Sequence, residues 1–545
     1  MAEHGPARYL FSVLHVLIRQ GSSDEAVGRL QEFIRDREGP QALLQREFER
    51  LENEDPPIQL DPNATASLRA SQFYVVWGVA EERLRKMAEQ LRELRNTTRD
   101  GLRDIVVDAW VSRPADLPQW DDPSGEDWPL GWEYGPGSGV TPDFRGLQRY
   151  RLPRFLAGNF PGVLGGIDAN HVLTGGPAAR QGAGITILII EPAWRLSHEN
   201  LPPNLDRATF LGWLHGNGMN DHVYPESHGT AVLGILVGTG ANRYPGLYPV
   251  PHNTPTGVLG ICPSATVKGI GIYPWWWQTP GIPAPGKTVE SALYDAVHRA
   301  SLSPGDIVLV ETTVRDDLDK RVPVEWSPEA KGFITDLANR GVIVVEAAGN
   351  ENQWLSDPFY NEPPMDRHPS SLVGWTNPFD PGSLFENAIV VGAGAPPRGT
   401  RGRDREHPGQ ARAKYSNHGD RVDVQGWGYD IMTCGYGHLQ GGADPDRWYT
   451  DRFSGTSGAA AMVAGVLACV MGAWKAGEPT AFAPTRTYSI SGPGIVKRAK
   501  DMLRGVSYPG GSALNLPAQR SWVLPGPGVP DDRIGYLPDL RELIP

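Results

Sequence analysis

The stretch Gly458–Trp474 carries no charged residue, is rich in Gly and Ala, and approaches the length of a membrane span. A helix of this composition has no polar face, so lipid or protein must enclose it on every side. Enclosure by protein is the expectation here, because the helix opens on a polar, chemistry-bearing segment, Phe453-Ser454-Gly455-Thr456-Ser457. Of the 545 residues 40% are apolar and 21% charged. That balance supplies a sizeable core and excludes wholesale disorder. The length predicts about two to four domains. The 65 Gly and 50 Pro predict many turns and long surface loops.

The candidate cover for this helix is a series of alternating strands and helices. Gly184–Ile190 is a near-continuous apolar run with β-branched residues, the pattern of a buried parallel strand. After it His228–Val237 reads as a helix, Ala265–Ile272 as a strand, Val289–Ala300 as a helix and Asp306–Val310 as a strand. Glu329–Asn339 then reads as a helix, Val342–Val345 and Ala388–Val391 as strands, and Thr456–Trp474 as the apolar helix. Such alternation predicts an α/β fold with a mainly parallel central sheet and right-handed crossovers. Function in these sheets gathers at the carboxyl ends of the strands and the starts of the following helices.

Upstream, Arg8–Gln20, Asp24–Arg37 and Gln41–Leu51 carry apolar residues at helical spacing, so residues 1–57 are expected to form a small helical bundle. Residues 58–111 are read as a further helical segment. Its Leu84, Met87, Leu91 and Leu94 offer a coiled-coil contact to another chain. Residues 112–161, rich in Pro, Gly and Trp, are read as a linker, and 162–545 as the α/β domain. The helical unit is expected to serve as an adaptor to a partner or sensor protein.

The net charge of −12 disfavours a nucleic-acid partner. Three cysteines, Cys262, Cys434 and Cys469, are too few for a disulfide framework and fit a reducing compartment. With no secretory signal legible, a cytoplasmic location without a membrane span is expected. His215 and His222 lie near His228, but no metal-ligand spacing joins them.

Three segments carry an acid, an imidazole and a hydroxyl in that chain order: Ile189-Ile190-Glu191-Pro192-Ala193, Ser227-His228-Gly229-Thr230, and Ser454-Gly455-Thr456-Ser457. A serine hydroxyl is a weak nucleophile until a base removes its proton. Imidazole is such a base near neutral pH, and a buried carboxylate fixes its tautomer. A serine at a helix start also places a developing oxyanion near the helix dipole.

These motifs resemble those of the subtilisin-like serine peptidases. Ser227-His228-Gly229-Thr230 matches the family's histidine motif and Gly455-Thr456-Ser457 its serine motif. Val344-Val345-Glu346-Ala347-Ala348-Gly349-Asn350 matches the strand leading to its oxyanion-hole asparagine. Gly257-Val258-Leu259-Gly260-Ile261-Cys262-Pro263 and Ala413-Lys414-Tyr415-Ser416-Asn417 resemble two further family segments. The resemblance implies a three-layer subtilisin-like fold and a serine endopeptidase. In it Ser457 attacks, His228 is the base, and Asn350 with the Ser457 N–H binds the oxyanion. No cofactor is required; a structural calcium is common in the family and has no legible position here.

The departures matter too. Glu191-Pro192-Ala193 stands where the family has Asp, then Ser or Thr, then Gly. Glu keeps the charge and adds a methylene, so Glu191 is expected to complete a Ser-His-Glu triad. The alternatives are a bystander Glu191 with Asp221 or Glu226 supplying the charge, and an inactive module that only binds peptides. Gly349 and Glu311 fall where the resemblance implies substrate contacts. Glu311 would form a pocket wall favouring a basic side chain. Trp275-Trp276-Trp277 would give the peptide an apolar rim.

Overall fold

The computed structural model describes most of residues 13–545. The longer stretches left out are 1–12, 47–56, 59–67, 95–104, 113–140, 154–164, 212–224, 241–254, 273–286, 365–374, 398–410, 484–490 and 506–533. Strands β1 (Val13–Ile18), β2 (Leu43–Arg46), β3 (Phe73–Trp77) and β4 (Val106–Ser112) form an N-terminal sheet in the order β2-β3-β1-β4. All three pairings are antiparallel. Helices α1 (Asp24–Glu38) and α2 (Glu81–Glu93) connect them, giving a split βαββαβ unit.

This corrects the all-helical expectation. The two helices fall where the spacing put them, and Ser23 caps α1 by accepting from Ala26 N at 3.2 Å. The other stretches read as helix contain strands, because the runs VLHVLI and FYVVW are short, β-branched and aromatic. In runs this short, packing rather than local pattern decides between helix and strand. Leu84, Met87, Leu91 and Leu94 are buried within the unit itself, against Leu14, Val16 and Ile18 of β1. The α2 stripe is therefore core, not a coiled-coil seam.

The second body is built on β5 (Thr186–Glu191), β6 (Phe210–Leu211), β7 (Thr266–Gly271), β8 (Ile307–Val310), β9 (Ile343–Ala347), β10 (Ala388–Gly394) and β11 (Val424–Trp427). They run parallel in the order β11-β10-β9-β8-β5-β7-β6. The strands are apolar on both faces because helices cover both. Ile187 and Ile189 of β5 pack with α3 (Pro225–Val237) and α6 (Gly455–Lys475). Leu188 and Ile190 pack with α4 (Val289–His298) and α5 (Pro328–Asn339). Among the described residues α6 is the one helix long and apolar enough to cross a bilayer, yet its most apolar window lies wholly inside this fold. A hairpin of β12 (Ile431–Cys434) and β13 (Tyr449–Phe453) leads into α6, and α7 (Pro493–Leu503) adds to the same layer.

The two bodies share a core. Leu17, Phe73 and Trp110, on the sheet face turned away from α1 and α2, join the cluster that covers α4 and α5. The body also begins earlier than residue 162. Asp143 bridges to Gly257, the Gln148 side chain donates to the Leu259 carbonyl at 3.0 Å, and the Tyr150 hydroxyl donates to the Met432 carbonyl at 3.2 Å.

Candidate active site

Glu191 ends β5 near the middle of the sheet, and its side chain is fully buried. The opening turn of α3 brings His228 to it, and Nδ1 of His228 donates to Oε1 of Glu191 at 2.9 Å. Room for the added methylene comes from Gly229. A Cβ there would lie 2.8 Å from Cγ of Glu191 and would strike the Ala193 carbonyl. Phe453, at the end of β13, meets the imidazole edge to face at 5.2 Å between ring centres. The ring of His228 is thus held by a carboxylate at one nitrogen and an aromatic on one side.

Asn350 follows β9. Its Oδ1 accepts from both N and Oγ1 of Thr456, each at 2.9 Å. The carbonyl end of the amide is therefore engaged, which leaves the NH₂ end as the outward donor. Nδ2 lies beside Gly455, where a Cβ would approach to 3.2 Å and φ is +95°. Ser457 stands in the first turn of α6, where a backbone N–H has no intrahelical acceptor. Both are donors of the kind that stabilises an oxyanion.

Gly349, expected to touch substrate, has both backbone groups engaged inside the fold. Its N–H donates to Thr456 Oγ1 at 3.2 Å, and its carbonyl accepts from Asn417 N at 3.0 Å. With φ at +102° it shapes the turn that presents Asn350. Asn417 fixes that turn from behind, donating to the carbonyls of Arg321 and Ala348 at 2.6 and 2.7 Å. Thr456, Asn417 and Phe453 are positioning residues that the motif reading did not single out. The signal for each was its place inside or next to a matched segment.

Glu311 departs from expectation as well. It follows β8, is 1% exposed, and lies beside Glu191 and near Ser457 rather than lining an open pocket. Its N–H donates to the Ile190 carbonyl at 3.0 Å, which sets it beside Glu191. The Ser457 side chain is close enough to favour the Glu311 anion, though neither carboxyl oxygen gains a hydrogen bond of ordinary geometry. No hydrogen bond joins Ser457 to His228. Burial drives the His228 pKa down to about 3 and that of Glu191 well up. Glu311 is pushed well up by burial and then by the charge of Glu191. Neither carboxyl pairs with a Lys or Arg among the described residues. Nor, among those residues, do three His, Cys, Asp or Glu side chains gather as a metal site. His215, His222, Asp221, Trp275-Trp276-Trp277 and the side chain of Glu226 lie outside the described residues.

The profile of the subtilase family matches residues 182–490, more than half of the chain. The chain belongs to the subtilase family. It is a serine-type peptidase with a three-layer α/β fold, and its substrates are proteins. Among solved structures it is similar to a protease from Pseudoalteromonas arctica, at 16% identity and a TM-score of 0.35, over 66% of this chain and 100% of that one. No curated protein matches it.

Proposed function

We propose that the protein is a serine endopeptidase working through Ser457, His228 and Glu191. The observation that carries this reading is the 2.9 Å bond from His228 Nδ1 to Glu191 Oε1. Nδ1 holds the imidazole's one proton, so Nε2 is left with a lone pair. Burial of the ring keeps His228 neutral, so the Nε2 lone pair is open to the Ser457 proton. As Ser457 Oγ bonds to the scissile carbonyl carbon, the proton passes to Nε2 and Glu191 stabilises the imidazolium. Asn350 Nδ2 and the Ser457 N–H bind the oxyanion. His228 then gives the proton to the departing amine, and water resolves the acyl-enzyme by the same route. The extended substrate chain pairs by main-chain hydrogen bonds beside the sheet.

A fluorophosphonate probe tests this assignment. Wild type is expected to be labelled and Ser457→Ala to resist; equal labelling of both removes Ser457 from the role. A second reading, a peptide-binding module with little turnover, draws on the missing Ser457–His228 hydrogen bond. His228-dependent release of product from a peptide library decides against it. The N-terminal unit, seated on the α4–α5 layer, is proposed to regulate or recruit the peptidase. The three cysteines are all buried free thiols, which supports a cytoplasmic setting.

A further inference from the structure

A second carboxyl stands beside the one that holds the imidazole. Register pairs Val310 with Ile190, so the next residues along, Glu311 and Glu191, end neighbouring parallel strands side by side. Both are buried, and neither has a Lys or Arg ion-pair partner among the described residues. Their surroundings differ in one respect. Glu191 receives the His228 N–H, whereas both oxygens of Glu311 are buried without a hydrogen-bond partner. Two like charges this close in a dry site do not both persist. The proton shared by the pair therefore resides on Glu311, and the negative charge on Glu191. A polar neighbour of Glu311 is the Ser457 hydroxyl.

We propose that Glu311 is a positioning residue for the nucleophile: as a neutral carboxyl it donates to Ser457 Oγ and leaves the serine proton for His228, and as an anion it takes that proton's hydrogen bond itself and turns Ser457 away from the base. This rests on the triad reading above. The groups facing the pair are His228 from α3, Ser457 from α6 and Tyr436 from the turn after β12. Tyr436 is partly buried near Glu191 and is held above its ordinary value, so it stays neutral while Glu311 titrates.

The test is the rate of fluorophosphonate labelling, together with kcat/KM, from about pH 6 to about pH 10. Wild type is expected to lose at least about tenfold on the alkaline side. Glu311→Gln, which still donates but cannot ionise, is expected to keep its plateau there, with a neutral-pH rate within about threefold of wild type. A flat wild-type profile overturns the proposal, as does an alkaline fall that persists in Glu311→Gln. If Glu311→Gln does not melt cooperatively, Glu311→Met, similar in size and unable to ionise, takes its place, with the alkaline plateau as the expectation; failure of both to fold makes Glu311 a structural residue and also overturns the proposal. Labelling of Ser457→Ala at the wild-type rate would instead strike the triad assignment, so the two failures are told apart.

Discussion

The side-chain oxygen of Asn350 accepts two hydrogen bonds from one residue, Thr456, and this fixes which end of the amide faces the nucleophile. An amide that flipped would surrender both bonds and present an oxygen to a developing oxyanion. The orientation is thus set before substrate arrives, which is what makes such a donor effective. Asn350→Ala should lower kcat by roughly 10²–10³ with a small change in KM. Thr456→Val removes the hydroxyl's bonds to Asn350 and from the Gly349 N–H and keeps the backbone one, so its loss should fall between wild type and Asn350→Ala. Steady-state kinetics on one peptide substrate orders the three; a Thr456→Val variant worse than Asn350→Ala would contradict the argument.

In the proposed triad Glu191 acts through the tautomer of His228. Glu191→Gln can offer its amide N–H to Nδ1, which moves the ring proton to Nε2 and blocks proton transfer from Ser457. A fall in kcat on the order of 10⁴ is expected. Glu191→Asp restores the family's usual acid but draws the carboxylate back from an imidazole placed for the longer side chain. Gly229 leaves the space that Glu191 Cγ fills, so shortening opens a gap. Glu191→Asp should therefore be less active than wild type, and kcat for the pair checks this. Full activity in Glu191→Asp would mean that α3 moves in to follow the acid.

The segments that carry Glu191, His228, Asn350 and Ser457 and the alternation of the large sheet were legible because each is contiguous and has its own chemistry. The partner of Glu311 was not. Knowing that it faces Glu191 requires the pairing of Val310 with Ile190, a relation between strands far apart in the chain. The N-terminal strands were hidden for a different reason. His15 breaks the apolar run of β1 yet is buried, stacked at 5.4 Å on Trp110, its register partner on the adjacent strand β4, which is far away along the chain. No local pattern carries that contact, and without it the run fits a helix about as well as a strand.

Buried carboxyls also tie stability to pH. The folded pKa of Glu311 lies above its ordinary value, so the folded state keeps a proton that the unfolded chain has released. Stability from this group is complete below the ordinary value of 4.5 and falls as pH rises through the raised folded one. Glu311→Gln removes that dependence. Its melting temperature should match wild type at low pH and exceed it increasingly toward alkaline pH. Thermal melts across the range check the sign; a gap that closes with rising pH would be the opposite result. Glu191→Gln should gain stability in the same direction while losing activity, the trade-off expected where a site holds charge at a cost to the fold.

Trp110 decides whether the N-terminal unit is a cover or an appendage. Its ring is 1% exposed, lies edge to face with Phe73 at 6.5 Å, and belongs to the cluster that includes Leu293 of α4 and Phe333 of α5. Truncating a buried aromatic of this size costs about 3–5 kcal/mol. Here the cost falls on the joint between the two bodies, because the residues holding α1 and α2 to their own sheet form a separate cluster. Trp110→Ala should therefore raise amide exchange in Val289–His298 and Pro328–Asn339, the two helices beneath the sheet. Exchange in β5 and α6, on the other side of or within the central sheet, should change far less. Unaltered exchange in both helices would show that the sheet does not protect them.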